Sequence, residues 1–288
     1  MDIDPVTYNI DVNGIAEAIT DKTKAVLPVV VFGNPAGMDR VCDLAEERGI
    51  VCIEDSCEGI GSAVNGRKVG TMGEASTFAF YPNKQMTTGE GGCVVTRDDA
   101  LAEQVRLYRF HGINKNVMDR EGRRSGQHYD VSAPGYKYNM MDIQAALGLH
   151  QLPALAGFNA RRYDLAMAYL ERLAGWPQLR LPEAGPADGR HAWHLFAPTL
   201  DPARAGMSRD TFIAAMRGEG IGTGLHYTAP HLFSHYREAY GFAPGDFPQA
   251  EEIGERIVSL PLFPGMTEAD QDRVIATLDR LFRDAADG

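Results

Sequence analysis

Hydrophobic and polar positions change along the chain in a way that predicts alternating strands and helices. Residues 26–33, VLPVVVFG, form a nearly unbroken apolar run rich in β-branched residues, which predicts a strand buried on both faces. Apolar positions then recur at helical spacing from Met38 to Ala45, and Gly49 is a typical helix stop. The run VCIED at 51–55 predicts a second buried strand, which ends in two acids. This order predicts a β-α-β unit.

The rest of the chain continues the alternation and then changes character. The pattern predicts strands near 76–81 and 92–96, followed by helices near 98–109, 140–152 and 158–173. Beyond the loop at 181–190 the elements become shorter and mixed, with helices predicted near 208–219 and 267–283. We therefore predict an α/β fold with a large domain at 1–180 and a smaller α+β domain at 181–288.

Composition excludes several classes of protein. With 288 residues, 44% hydrophobic and 23% charged, the chain can bury a full core. A net charge of −11 disfavours nucleic acid as a partner, although six basic residues gather locally between 106 and 124 and could meet a phosphorylated small molecule. No apolar run approaches the roughly 20 residues that cross a bilayer, and no basic-then-apolar leader opens the chain. We expect no membrane association and a cytoplasmic location.

The four cysteines, Cys42, Cys52, Cys57 and Cys93, form no C-x-x-C pair. We expect buried free thiols and no metal site. The segment GIGSAVNG at 59–66 departs from the dinucleotide-binding pattern at its third glycine position, so hydride transfer is disfavoured.

Two residues at predicted strand ends carry chemistry. Asp55 ends one strand, and Lys84 follows the next strand along the chain. Ligands of open α/β sheets bind at that edge, where a carboxylate can hold a protonated heterocyclic nitrogen and a desolvated lysine can form a Schiff base. Pyridoxal phosphate needs both partners. The residue types alone leave open a strand-end acid and a surface lysine.

A family resemblance favours the chemical interpretation. The segment FAFYPNKQMTTGEGG resembles the Schiff-base lysine segment of the DegT/DnrJ-type sugar aminotransferases, which have PLP fold type I, like aspartate aminotransferase. Four further segments agree in order along the chain: DIDPVTYNID, IEDSCEGIGS, APGYKYNMMDIQAALGLHQL and the C-terminal group HAWHLF, GIGTGLHY and SLPLFPGMTEAD. The C-terminal group looks most like the branch that aminates a UDP-linked 4-keto-pentose.

The resemblance implies roles for individual residues. Lys84 would be the Schiff-base lysine, Asp55 the acid that faces the pyridine nitrogen, and Glu58 a polar residue near the cofactor ring. Asn139 matches a residue that the family extends across a homodimer interface toward the cofactor phosphate. His226 and Tyr227 match the segment beside the nucleotide-sugar; the alternative is a strand-end pair satisfied by its neighbours. The implied reaction moves an amino group from an amino acid, expected to be glutamate, to a keto group of a nucleotide-linked sugar.

Three departures from the family pattern keep other functions open. Ala79 stands where the family often has a phosphate-binding serine, and Val30 replaces a family histidine. The chain also opens within what looks like an interior strand, so we expect the family's first quarter, with its phosphate-cradling loop, to be missing. A truncated non-catalytic relative that acts as a partner or regulator is therefore an alternative. A PLP-dependent sugar dehydratase is another, although the family replaces the lysine by histidine there.

Overall fold

The computed structural model describes residues 1–114 and 129–287. Its strands are β1 Ala25–Val26, β2 Val51–Asp55, β3 Ala63–Val64, β4 Arg67–Lys68, β5 Ala75–Ala79, β6 Gly92–Thr96, β7 Leu179–Arg180, β8 Gly189–Arg190 and β9 Thr199–Leu200. Its helices are α1 Val12–Ala18, α2 Met38–Glu47, α3 Asp99–Tyr108, α4 Asp142–Arg172, α5 Pro202–Ala205, α6 Arg209–Gly218, α7 Ser234–Tyr240, α8 Pro248–Arg256 and α9 Glu268–Asp287. The predicted β-α-β unit is present as β1-α2-β2, whereas strands β2 to β6 follow one another without a helix between them.

The largest sheet in the described part of the chain has the strand order β1-β2-β5-β6. Strand β2 runs parallel to both β1 and β5, and β5 pairs antiparallel with β6. Because β2 and β5 are parallel neighbours, with Asp55 opposite Thr77, their carboxyl ends meet at one edge of the sheet. Short antiparallel sheets, β4-β3-β8 and β7-β9, lie outside it.

The predicted strand at 26–33 is wrong in its length and in its burial. Strand β1 ends at Val26, Val29 makes one further bridge to Asp55, and residues 31–33 form a 3-10 turn. The side chains of Leu27 and Val29 are exposed. Only the side chains on one face of this apolar run are therefore buried.

The two helices predicted near 140–152 and 158–173 are one helix, α4, which continues through Pro153. A proline inside a helix removes the hydrogen bond to the carbonyl four residues earlier, here that of Leu149. Leu149 is 75% exposed. The helix nevertheless continues to Arg172.

The largest group of buried hydrophobic residues lies in the second half of the chain. Trp193 belongs to it: its side chain is fully buried and stacks on His191 at 3.9 Å between ring centroids. Leu165 and Tyr169, in the second half of α4, are part of this core, although they precede the predicted domain boundary at residue 180.

Two further predictions can be compared with the structure. All four cysteines are free thiols, but only Cys42 and Cys52 are buried; Cys57 is half-buried, and Cys93 is exposed on strand β6, whose residues are exposed on both faces. None of the helices described for this chain is both long and apolar enough to cross a bilayer.

Candidate active site

Lys84 lies in the connection between β5 and β6, and local bonds fix its position. Its backbone N–H donates to the carbonyl of Tyr81 at 3.0 Å, and the N–H of Thr88 donates to the carbonyl of Phe80 at 2.9 Å. The neighbouring Gln85, fully buried, donates its side-chain amide to the carbonyl of Glu58. These contacts hold the lysine amine at the carboxyl edge of the sheet.

Three side chains, those of Lys84, His194 and Tyr227, converge on one carboxylate oxygen of Glu58, and we call these four residues the Glu58 cluster. Glu58 Oε1 lies 3.3 Å from the Lys84 amine, 3.3 Å from the Tyr227 hydroxyl and 3.5 Å from Nε2 of His194. The Lys84 side chain is 14% exposed and that of Glu58 is 9% exposed. A carboxylate with donors on several sides therefore neutralises the amine in a largely dry setting.

Glu58 is held in place from its other oxygen. Oε2 accepts the backbone N–H of Phe32 at 2.8 Å. Phe32 has a φ of 56°, a left-handed conformation that is uncommon for a bulky residue. This local strain aims the N–H at the carboxylate, and it also explains why the predicted strand stops before Val31.

Gly33 joins the three segments that build the cluster. Its φ is 91°, and a Cβ there would lie 3.0 Å from the carbonyl oxygen of Glu58 and 3.1 Å from the N–H nitrogen of Trp193. The Gly33 carbonyl accepts the N–H of Ala192 at 2.9 Å, while the Phe32 carbonyl accepts that of His194 at 2.8 Å. Only glycine lets the segments carrying Glu58 and His194 approach this closely.

Asp55 ends β2 beside the cluster. Its Oδ1 accepts the N–H of Cys57 at 3.1 Å. The pKa of the Cys57 thiol is raised to about 11, chiefly by burial and then by Asp55, while Lys84 opposes the shift. Lys84 and Asp55 thus act on the same thiol, but the carboxylate within ion-pair distance of Lys84 is Glu58.

Burial and neighbouring charged groups shift the pKa values of Tyr227 and His226. The pKa of the Tyr227 phenol is raised to about 12 by burial first, then by Glu58 and Asp55. Nδ1 of His226 lies 2.8 Å from the Ser259 hydroxyl. Burial lowers the pKa of His226, with Lys84 acting in the same direction and Glu58 against it. Both residues therefore lie within electrostatic reach of the lysine.

Within one chain, Asn139 does not belong to the Glu58 cluster. It lines a cavity of about 860 Å³ together with Arg106 and Arg109, and Lys84 is not among the residues that line it. The Oδ1 atom of Asn139 is buried and has no hydrogen-bond partner among the described residues. The other four basic residues of the predicted basic segment, Lys115, Arg120, Arg123 and Arg124, lie outside the described residues.

The sequence prediction missed His194 and Gln85. His194 is 2% exposed, and burial lowers its pKa far below the usual value, with Lys84 and Arg162 adding to the effect. It is therefore a neutral imidazole against Glu58. No local pattern could predict its contact with Glu58, because more than a hundred residues separate the two. The adjacent core residue Trp193 is the signal in the sequence that His194 is buried.

The ring end of pyridoxal phosphate fits this donor set. A lysine amine, which can form an imine, lies beside two carboxylates, Asp55 and Glu58, that favour a protonated ring nitrogen. At the phosphate end, Ala79 offers no hydroxyl. Asn139, with its unpartnered amide oxygen, would have to act from a second copy of the chain.

The structural neighbours of the molecule are PLP fold type I sugar aminotransferases, and a lysine and acids at the carboxyl edge of a mixed sheet agree with that class. Residues 1–279 match the model of the DegT/DnrJ/EryC1/StrS aminotransferase family, and the chain belongs to that family. This confirms the resemblance seen in the sequence.

Known relatives agree over nearly the whole chain. The spore coat polysaccharide biosynthesis protein SpsC of Bacillus subtilis is 38% identical over 99% of this chain and 73% of its own length. The structure of DesI in the presence of its TDP-sugar product matches 99% of this chain and 69% of DesI, with a TM-score of 0.84 and 28% identity. Spr1654 from Streptococcus pneumoniae in its PMP form matches 99% and 76%, with a TM-score of 0.89 and 26% identity. Family and neighbours support a sugar aminotransferase.

Proposed function

We propose that this protein transfers an amino group from an amino acid, glutamate being the expected donor, to a keto group of a nucleotide-linked sugar, with pyridoxal phosphate as cofactor. The observation that supports the proposal most directly is the Glu58 cluster, in which the largely buried amine of Lys84 lies 3.3 Å from a carboxylate at the carboxyl edge of the sheet. The structure of the neighbour DesI in the presence of its TDP-sugar product supports a nucleotide-sugar as acceptor.

Four residues of the chain each have a separate role in this reaction. When bound, pyridoxal phosphate supplies an electron sink that lets the acidic proton on the reacting carbon leave. Lys84 accepts and returns that proton, because its amine is at the end of a flexible stem in a dry setting. Asp55 holds the ring nitrogen in its protonated form. Glu58 orients the Lys84 amine, and Tyr227 shares the same carboxylate oxygen.

Borohydride labelling tests the proposal. A Schiff base with Lys84 absorbs near the visible edge, and reduction fixes the cofactor to the lysine. We expect this absorbance to disappear on reduction and the added mass to map to Lys84 by peptide mass spectrometry. Lys68, exposed on β4, is an internal control that should carry no label. A folded, pyridoxal-treated protein without label at Lys84 would favour the non-catalytic alternative.

We further propose that the active unit is a homodimer formed through the apolar surface around Asn139. Exposed apolar side chains are concentrated on both sides of this residue: Tyr136, Tyr138, Met141, Ile143, Leu147, Leu149 and Leu152. Ile143 is 77% exposed and Tyr138 73%. Soluble proteins seldom leave so many apolar residues uncovered together. A second copy covering this surface would bring Asn139 toward the partner's Lys84.

Leu149→Glu tests the dimer. A charge in the centre of a buried apolar interface is unfavourable, so we expect the variant to sediment as a monomer in analytical ultracentrifugation while the parent sediments as a dimer. Tyr163→Glu, at an exposed site of the same helix outside this surface, should leave the dimer intact. A Leu149→Glu variant that remained dimeric would place the interface elsewhere.

A further inference from the structure

The buried side chain of Asn9 makes three hydrogen bonds to one short segment of backbone, residues 31–36. Asn9 precedes α1 in the chain and is 1% exposed. Its Nδ2 donates to the carbonyl oxygens of Asn34 at 2.9 Å and Ala36 at 3.0 Å, and its Oδ1 accepts the N–H of Val31 at 2.9 Å. A primary amide has two N–H donors and one carbonyl oxygen, so this side chain matches the three backbone groups. Asn9 therefore ties the two ends of the segment together.

The same segment carries the backbone groups that hold two members of the Glu58 cluster. The N–H of Phe32 donates to Oε2 of Glu58 at 2.8 Å, and the carbonyl of Phe32 accepts the N–H of His194 at 2.8 Å. Val31, whose N–H donates to Asn9, directly precedes Phe32. The hydrogen bond of Asn9 is therefore one residue away from the groups that position Glu58 and His194.

This segment needs outside contacts because its conformation is unfavourable for its residue types. Phe32 has a φ of 56°, and a bulky residue rarely adopts the left-handed region. Without these contacts residue 32 would relax to a negative φ, which changes the direction of its N–H relative to the rest of the segment. The ring of Phe32 also contacts that of Tyr8, the neighbour of Asn9, with 6.0 Å between ring centroids. Residues 8 and 9 together hold the segment in place.

The segment controls the direction of the Glu58 carboxylate rather than the position of residue 58. The backbone of Glu58 is held separately, because its carbonyl accepts the side-chain amide of Gln85. At Oε1 the partners are ends of side chains, including the amine of Lys84 and the hydroxyl of Tyr227. At Oε2 the partner is the backbone N–H of Phe32, which carries no titratable charge. The carboxylate is therefore oriented from its Oε2 side.

We propose that Asn9 is a positioning residue of the active site: it holds residues 31–36 in the conformation that directs the Glu58 carboxylate toward Lys84 and Tyr227. It acts through the N–H of Phe32. Its part in catalysis rests on the proposed function, in which Glu58 orients the Lys84 amine. The coupling between Asn9 and Glu58 is a property of the chain itself and can be measured without cofactor or turnover.

Ultraviolet titration of Tyr227 measures this coupling. The pKa of the Tyr227 phenol is about 12, raised first by burial and then by Glu58 and Asp55. Asn9→Ala removes the three bonds to the segment, so Glu58 should turn away from the phenol, and the midpoint should fall toward the usual 10.0. The matching Tyr227→Phe protein is subtracted in each case. In a Glu58→Gln background Asn9→Ala should cause no further fall, because the charge through which Asn9 acts is already absent.

Gln271→Ala is the matched control. Gln271, on α9, is 2% exposed, and its Nε2 donates to the carbonyl of Leu165 at 2.8 Å. Like Asn9 it is a buried amide bonded to backbone, but its partner belongs to the core of the second half of the chain. Its removal should lower the thermal unfolding temperature, as Asn9→Ala should, and leave the Tyr227 midpoint unchanged.

Residue-resolved hydrogen exchange keeps the test valid if Asn9→Ala does not fold. The N–H groups of Val31 and Phe32 both donate to side chains, so both should exchange slowly in the parent protein. Asn9→Ser is a milder variant that keeps a hydroxyl at this position. It should speed exchange at Phe32 as well as at Val31, although the N–H of Phe32 donates to Glu58 and not to residue 9.

The outcomes separate this inference from the proposed function. Fast exchange at Val31 and Phe32 in the folded parent would overturn the inference, and so would an unchanged Tyr227 midpoint in a folded Asn9 variant. An equal fall of the midpoint in Gln271→Ala, or in the Glu58→Gln background, would also overturn it. A coupled shift in a protein that takes no borohydride label at Lys84 would support the link between Asn9 and Glu58 but overturn the proposed function.

Discussion

Lys84 and Arg162 both line a cavity of about 460 Å³, and they differ in what neutralises them. Lys84 has the Glu58 carboxylate 3.3 Å from its amine, and that carboxylate is itself fixed by the N–H of Phe32. Arg162, on α4, donates to three backbone carbonyl oxygens, those of Trp193, His194 and Leu262. The comparison teaches that a lysine paired with a fixed carboxylate is oriented for chemistry, whereas an arginine bonded to backbone carbonyls ties distant segments of the chain together.

The largest expected effect comes from removing the paired cation. Lys84→Ala should abolish turnover, because no other group at the cluster carries a basic amine, yet the protein should stay folded and retain some cofactor binding. Arg162→Met should instead lower the thermal unfolding temperature and spare kcat, because three carbonyl oxygens lose their shared donor. Steady-state kinetics with glutamate and a keto-sugar measure turnover, and thermal unfolding measures stability.

Lys68→Ala, on an exposed strand, is the control for the loss of a lysine. Substantial turnover by Lys84→Ala would remove Lys84 from the mechanism. An Arg162→Met variant whose kcat falls as far as that of Lys84→Ala would erase the contrast between the two residues.

The sequence could predict the lysine and one acid because topology alone brings them together. The ends of parallel neighbouring strands must meet at one sheet edge, and a short apolar run is enough to predict each strand. The strand ends place Asp55 and Lys84 near one edge of the sheet but leave their roles open. The class of fold came from the family resemblance, which the family match confirms.

The remaining parts of the cluster depend on contacts that no local pattern encodes. Tyr227 meets Glu58 across 169 positions of sequence, and the turn at Phe32 exists because a distant carboxylate accepts its N–H. Arg162 did leave a signal: it interrupts the apolar stripe of α4 formed by Phe158, Leu165 and Tyr169, where a charged residue needs a special partner. The domain boundary and the UDP-pentose branch stay predictions.

Asp55→Asn should produce the next largest effect. An amide cannot stabilise a protonated ring nitrogen as an ionised carboxylate does, so we expect kcat to fall about 10²- to 10³-fold. The backbone contact to Cys57 can persist, because the amide oxygen still accepts its N–H. Asp43→Asn, which removes only an exposed pair with Arg67, should leave the rate unchanged. Turnover at the parent rate would show that Asp55 has a purely structural role.

Glu58→Gln should have the smallest effect and the clearest signature. The amide keeps an acceptor for Lys84 and Tyr227 but removes the negative charge, so kcat/KM should fall about tenfold or less. Glu58 raises the pKa of the Tyr227 phenol, which is about 12 against the usual 10.0. Loss of the charge must therefore lower that pKa, and tyrosinate should form at lower pH. Ultraviolet titration, with the matching Tyr227→Phe protein subtracted, isolates this phenol. An unchanged midpoint would mean that burial alone sets the shift and that Glu58 does not bind Tyr227 in solution.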